Sequence, residues 1–398
     1  MNNMDYIKKD RYHDVLYSIF WISLMVGAGL NLPSTSIYMN IITVFSALIA
    51  FLGVINTVFT RRELFLCFLL IILGLLSVVF SKKFTVLLAV LAICAGKGID
   101  FKSLIKISFW IRSILMSGTI LLSQLGIINQ YTIVVYRNGD LITRSGLGLS
   151  HPNGAHVIFF VVIAMYVYSY YEKFNLFSVL TILILNLLMY YKTNSRTGFL
   201  IGILFVGVTL LFQSESEKDW LNFAKKFFLI FLTYSYILLP VISFIFAFML
   251  NSPFRAFARA LNSVLSNRLY LSYRYILLYP FSLFGTYIGD GFPLDNGFIR
   301  TYVERGFIIF FLQMFFSTKL LVYFYSKRQY SKILIMGFFA IYNLSESYFM
   351  NITFNFSILF LAELLFSNKK KLSHDVLKSK ERSNEEVSDF AGNMHYSP

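Results

Sequence analysis

The chain has 398 residues, of which 57% are hydrophobic and only 14% charged, against about 45–50% and about 25% in soluble domains. A chain this apolar cannot cover its own surface with polar groups, which excludes a soluble enzyme, a disordered chain and a disulfide-stapled secreted domain. Lys and Arg outnumber Asp and Glu by 35 to 20, a net charge of +15; in a membrane protein such an excess reports topology first and affinity for anionic lipid second.

Runs apolar enough to cross a hydrocarbon layer of about 30 Å recur at Val15–Leu32, Ile37–Phe59, Leu64–Phe80, Phe84–Ala95, Ile107–Ile127 and Ala155–Tyr170. They continue at Leu176–Tyr191, Thr197–Phe212, Phe227–Leu250, Gly306–Tyr325, Ile333–Phe349 and Ile352–Phe366. The expectation is an all-α polytopic membrane protein of about twelve transmembrane helices, with residues 1–366 as one membrane domain. Residues 367–398 form a polar tail without apolar period, expected to be disordered and cytoplasmic. No cleavable signal is expected, because the first apolar run follows a mixed-charge tail without a small-residue cleavage site. Cys67 and Cys94 lie in apolar runs and read as packing residues.

With both termini inside, the basic residues divide by type as well as number. Lysine exceeds arginine inside, whereas outside nine arginines face three lysines. Arg112 and Lys319 fall within spans near their inner ends, where they are expected to snorkel. Arginine is a rigid fork that binds phosphate bidentately. Either the outer arginines hold a pyrophosphate, or they pair with acids and outer-leaflet phosphates.

Two outer connections are long, about 129–154 and 251–305, and long loops in compact proteins are usually functional or disordered. In the second, Phe254, Phe257, Leu261, Val264 and Leu265 recur at helical spacing, with Arg255 and Arg259 on another face. That pattern predicts an amphipathic helix lying in the membrane interface. A second amphipathic, Tyr-rich stretch follows from Arg268 to Pro280, suited to a glycan near a bilayer or to an ordinary aromatic belt. Asp290 and Asp295 stand among glycines, either as turn residues or as carboxylates beside cations. The first loop ends in Arg144-Ser-Gly-Leu-Gly-Leu-Ser-His151-Pro-Asn153-Gly-Ala-His156, with histidines placed for base or phosphate chemistry or simply for a turn. Arg196-Thr-Gly198 opens a span with a cation, a hydroxyl and free backbone N–H groups. Glu346 near a membrane boundary is costly unless paired. No metal, Walker-type or dinucleotide-binding pattern occurs, so neither metal nor nucleotide is expected.

These ordered motifs, Arg144-x-Gly-Leu-Gly-x-x-His151-Pro-Asn153, Asn194-Ser-Arg196-Thr-Gly198, Asp295-Asn296-Gly297 and Ser-Glu346-Ser, resemble the bacterial polysaccharide polymerases called Wzy, relatives of the O-antigen ligases. The likeness runs from about residue 130 to 366; the first 120 residues match in hydropathy only. The resemblance implies a GT-C-like glycosyltransferase of the bacterial cytoplasmic (inner) membrane, working at its outer face without nucleotide sugar or metal. It implies transfer of a growing glycan from undecaprenyl pyrophosphate onto another lipid-linked repeat unit. The expected partners are that lipid-linked donor and acceptor and the membrane, with the exporting flippase and a chain-length regulator as candidate protein partners, and no nucleic acid.

Within that chemistry Arg144, Arg196, Arg300 and Arg305 are expected at the pyrophosphate, where fixed cations stabilise the charge that develops as the glycosidic bond breaks. Arg255 and Arg259 are expected to recruit lipid. His151 is the first candidate for the base on the acceptor hydroxyl and Asp290 the second. Asn153, Asp295 and Asn296 are expected as sugar contacts or loop formers. The ligases use a histidine in their later large loop, and this chain has none between Asn251 and Phe366. A lipid-linked oligosaccharide flippase is the alternative, but its expected internal repeats and mid-membrane charges are not visible in the sequence.

Overall fold

The computed structural model describes residues 3–30, 36–137, 140–214, 218–265, 267–289, 294–348 and 350–366. The polar tail and Asp290 therefore lie outside the described residues. In chain order come helices α1 (Asn3–Gly29), α2 (Ile37–Asn56), α3 (Arg61–Ser81), α4 (Thr85–Ala95) and α5 (Phe101–Gln124), followed by strands β1 (Thr132–Arg137) and β2 (Asp140–Ser145). Next are α6 (Pro152–Tyr170), α7 (Leu176–Thr193), α8 (Arg196–Gln213), α9 (Asp219–Thr233), α10 (Ser235–Met249), α11 (Arg255–Val264) and α12 (Arg268–Leu278). The described residues close with α13 (Gly297–Arg300), α14 (Phe307–Ser326), α15 (Tyr330–Tyr342), a 3₁₀ turn at Phe356–Phe360 and α16 (Leu361–Leu365).

Seven of these helices, α2, α3, α5, α6, α7, α8 and α14, are long and apolar enough to cross a membrane. The α9–α10 pair adds an eighth if it counts as one span, although it bends by 72°. The sequence reads Phe227–Leu250 as one unbroken run. The structure breaks it at Tyr234, and Pro240 inside α10 removes one further helical hydrogen bond. Large apolar side chains stay exposed on the outer helices, among them Ile37, Leu48, Phe65, Val79, Phe177 and Leu188. Water would not tolerate such belts, and lipid favours them. The fold is that of a polytopic helical membrane protein.

Local signals set the helix ends. Thr60 and Glu63 form a reciprocal capping box on α3, Asp100 caps α5 and Asn175 caps α7, each satisfying backbone N–H groups that a helix start leaves bare. At the centre of the bundle α6 is the most enclosed of the seven spanning helices, with nearly three quarters of its apolar length buried. It packs on α5, α7, α8 and α15, so its first residues, His151 to Asn153, are fixed at one end of the core.

Among the described residues the one departure from the all-α expectation is the β1–β2 hairpin, antiparallel with Ile133 opposite Arg144. Its signal is in the sequence: the β-branched run Thr132-Ile-Val-Val135 precedes Asn138-Gly139, a dipeptide favoured in tight hairpins. The second long loop carries the two expected amphipathic helices. On α11 the cations Arg255 and Arg259 and the rings of Phe254 and Phe257 are all exposed, as in a helix lying at an interface. Behind α12 a small core of Ala247, Tyr275, Ile288, Leu294, Ile299 and Val303 folds the rest of the loop against α10.

Gly297 is a point of obligatory closeness. Its N–H donates to the Asn343 carbonyl at 2.8 Å, and a Cβ there would collide with the Asn343 side-chain amide. Gly297→Ala is expected to cost about 1–3 kcal/mol of stability, the usual penalty of overpacking a tight contact, seen as a lowered Tm of the purified protein. An unchanged Tm would show that the two segments separate freely.

Candidate functional site

The loop-bearing end of the bundle gathers the sequence motifs into one polar cluster. The β1–β2 hairpin lays Arg144 over the end of α7, where its Nε donates to the Thr193 carbonyl at 2.9 Å and Nη2 to Asn153 Oδ1 at 2.5 Å. Arg144 is only 6% exposed. Asn153 also lies beside Glu346, whose charged form it favours. Arg268, at the first turn of α12, donates through Nη2 to Glu346 Oε1 at 3.3 Å and through Nε to Asp295 Oδ2 at 3.1 Å. Its Nη1 also reaches the Thr197 hydroxyl at 3.5 Å. Residues far apart in the sequence thus alternate in charge around Glu346.

His151 caps α6, its Nδ1 accepting from the Asn153 N–H at 3.1 Å. A ring nitrogen that accepts carries no proton, so in neutral His151 the proton sits on Nε2. Burial and then the Arg144 charge lower its pKa below the usual histidine value, against a smaller opposing pull from Asp295, which keeps the ring neutral near pH 7. His151 is therefore arranged to give a hydrogen bond from Nε2. The expected role of proton acceptor needs the other tautomer, which would set two N–H groups against each other.

Glu346 lies four residues past the end of α15. The sequence runs Ile333–Phe349 as one span, but the helix stops at Tyr342 and Glu346 belongs to the non-helical connection beyond it. Burial pushes its carboxyl up to about 8, outweighing the opposite pull of Arg268, Arg144 and Asn153, while the Asp295 charge adds to the rise.

Next to this cluster the chain turns through Arg300, Glu304 and Arg305 in a π-helical turn at Thr301–Arg305. Glu304 is 2% exposed, and its Oε2 accepts from Arg300 Nε at 3.1 Å and lies 3.3 Å from Arg305 Nη2. Arg300 Nη1 donates to the Ser347 hydroxyl at 2.9 Å, which ties this group to the residue beside Glu346. Arg305 is buried and donates to the Ser81 hydroxyl at 2.9 Å, clamping the loop to the end of α3. Asn296 is buried too; its Oδ1 caps α13 and its Nδ2 donates to Ser243 at 3.0 Å. Of the expected pyrophosphate cations, Arg305 is thus committed to internal contacts, and Asn296 acts as a loop former. Arg196 is exposed at the start of α8, outside the network, where its neighbour Thr197 meets Arg268 instead. Arg255 and Arg259 stay on the surface of α11, away from the cluster's hydrogen bonds.

His156 is wholly buried one turn into α6, paired through Nε2 with Asn186 Oδ1 at 2.8 Å and through Nδ1 with the Thr193 hydroxyl at 3.3 Å. Gly198 makes room for it: a Cβ there would lie 2.6 Å from the imidazole and 2.7 Å from the Tyr342 hydroxyl. The sequence pointed to Arg144, His151, Asn153, Asp295 and Arg300. It flagged Glu346 as needing a partner without identifying one, and gave Arg268 no site role. Beside the cluster, between α5, α6 and α7, runs an apolar groove of about 660 Å³, with Phe109 and Tyr166 toward one end and Gln124, Leu147 and Lys192 toward the loop end. Among the described residues no group of His, Cys, Asp or Glu side chains is placed to hold a metal ion. Compared with known proteins, the chain matches no family model, no curated protein and no solved structure.

Proposed function

We propose that this protein is a membrane glycosyltransferase that joins lipid-diphosphate-linked oligosaccharide repeat units, a polysaccharide polymerase of the Wzy type. The observation that carries the reading is the convergence of residues from the four motifs and Arg268 on one cluster around Glu346. Twelve spans remain compatible with it: the seven long helices, the bent α9–α10 pair, the three shorter apolar helices and α1. The GT-C architecture, the inner-membrane location and the cytoplasmic termini belong to this proposal.

In the mechanism the acceptor hydroxyl attacks the donor's anomeric carbon and the bond to the diphosphate oxygen breaks. The hydroxyl proton passes to the Glu346 carboxylate, and the leaving diphosphate takes the electron pair. Cations and N–H donors fixed before reaction stabilise that developing charge without reorganisation. Arg268, Arg300 and the His151 Nε2–H supply them, Arg144 contributes its charge from behind Asn153, and exposed Arg196 and Lys192 meet the incoming headgroup. The groove beside Lys192 suits a prenyl chain, whose apolar length is best kept in lipid-like surroundings. Arg255 and Arg259 on α11 attract anionic lipid to the same end.

The test is the glycan phenotype of a clean deletion, resolved by gel, with the lipid-linked pool analysed by mass. A single repeat unit on lipid, or one unit on its final acceptor, is the expected result. Long polymer left on lipid would make the protein a ligase. Units trapped on the cytoplasmic face, protected from external enzymes, would make it a flippase.

A further inference from the structure

Arg112 is expected from sequence to snorkel from a span end, and the structure places it elsewhere. It lies eleven residues into α5, about 16 Å from one helix end and about 18 Å from the other at the usual helical rise. With Leu104 and Ser108 it forms the buried stripe of that helix, and Ser108 accepts from the Trp21 indole at 2.6 Å. The side chain is 1% exposed. Its Nε, Nη1 and Nη2 are all buried and have no hydrogen-bond partner among the described residues. The Phe354 ring lies 5.6 Å from the guanidinium, measured to the centroid, and Phe354 is stacked on Tyr348 at 4.5 Å.

A guanidinium at this depth is costly without a counter-charge, and one ring face does not occupy five N–H donors. Glu346, on the same connection as Phe354, is committed to Arg268 and Asn153. We propose that Arg112 seats one small inorganic anion of halide size, held by the guanidinium N–H groups beside the Phe354 ring. All three nitrogens are buried away from solvent, which suits a compact, weakly hydrated anion rather than a large, strongly hydrated one. Because Phe354 and Tyr348 belong to the connection that carries Glu346, the anion would also brace that connection from beneath. The inference rests on the membrane-embedded fold and not on the glycan chemistry.

The test measures Tm of the purified, detergent-held protein as sodium bromide replaces sodium gluconate at constant ionic strength. The expected result is a Tm that rises by about 2 °C for each tenfold of bromide above its dissociation constant, as mass action requires. Arg112→Met, similar in length and uncharged, is expected to lose the dependence. A crystal grown in bromide is expected to show an anomalous peak against the guanidinium, a readout that stands even if the variant does not fold. A wild-type Tm indifferent to bromide, a variant that keeps the same slope, or a bromide crystal with only water at Arg112 would each overturn the assignment. A shift produced by phosphate and not by bromide would overturn the halide class.

Discussion

Replacing Arg268 with alanine is expected to lower polymer formation by about 10²–10³-fold, the usual effect of removing one fixed donor from a site where charge develops. Arg268 joins Asp295, Glu346 and Thr197 through three different nitrogens. Without it two carboxylates from separate loops are left facing each other in a largely buried place. Some loss of stability accompanies this, since breaking one partner of a buried pair leaves an uncompensated charge. Arg268→Lys separates the effects: it keeps the charge but cannot reach three partners with a planar fork. The lysine variant is expected to keep most of the Tm and to recover only part of the activity. The assay is in vitro elongation of purified lipid-linked repeat units, read beside Tm. A fully active alanine variant would remove Arg268 from the site and weaken the proposed function with it.

Glu346→Gln is expected to have the second large effect, a loss of about 10²–10⁴-fold, the range for removing a general base. The base acts in its ionised form, and burial sets the Glu346 carboxyl near 8. Wild-type kcat/KM is therefore expected to rise as pH rises through about 8 and to fall about tenfold per unit below it. The glutamine variant should lose that limb and keep only a flat residual rate. Measurement from about pH 4 to about pH 10 decides between the two candidate bases, because a general base is recognised by the pKa of the limb it creates. A limb below the ordinary histidine value that survives in Glu346→Gln would return the role to His151, whose own pKa is lowered by burial.

Much of the architecture was legible because lipid imposes a simple rule: a helix that faces hydrocarbon must be apolar along a membrane's thickness. Gly306–Tyr325 as read from sequence is nearly α14, and Leu176–Tyr191 lies within α7. The rule is silent where the surroundings are protein. Ile333–Phe349 is apolar throughout, yet α15 stops at Tyr342, because Gly297 and Asn343 meet there and the chain turns toward the cluster. Attention to spans overlooks the period of two that the β1–β2 hairpin carries, although the Asn138-Gly139 dipeptide is plainly written.

The motifs around Arg144, His151 and Asp295 could be picked out by residue type, since cations, imidazoles and carboxylates in an apolar chain are few. What those groups do depends on partners that only folding supplies. His151 reads as a base until Asn153's N–H is found on its Nδ1. Arg196 and Arg268 look alike in sequence; one is exposed, and the other bridges two acids. Arg112 looks like a span-end cation until α5 is seen to begin eleven residues before it. By itself the sequence determined that this chain belongs in a membrane, where its long loops lie and which residue types are scarce enough to matter. Which of those residues meet, which are spent on capping and clamping, and which tautomer the imidazole takes were decided by the tertiary structure. Hydrophobic burial follows from composition and period, whereas hydrogen bonds and ion pairs need distance and direction, which a linear chain does not carry.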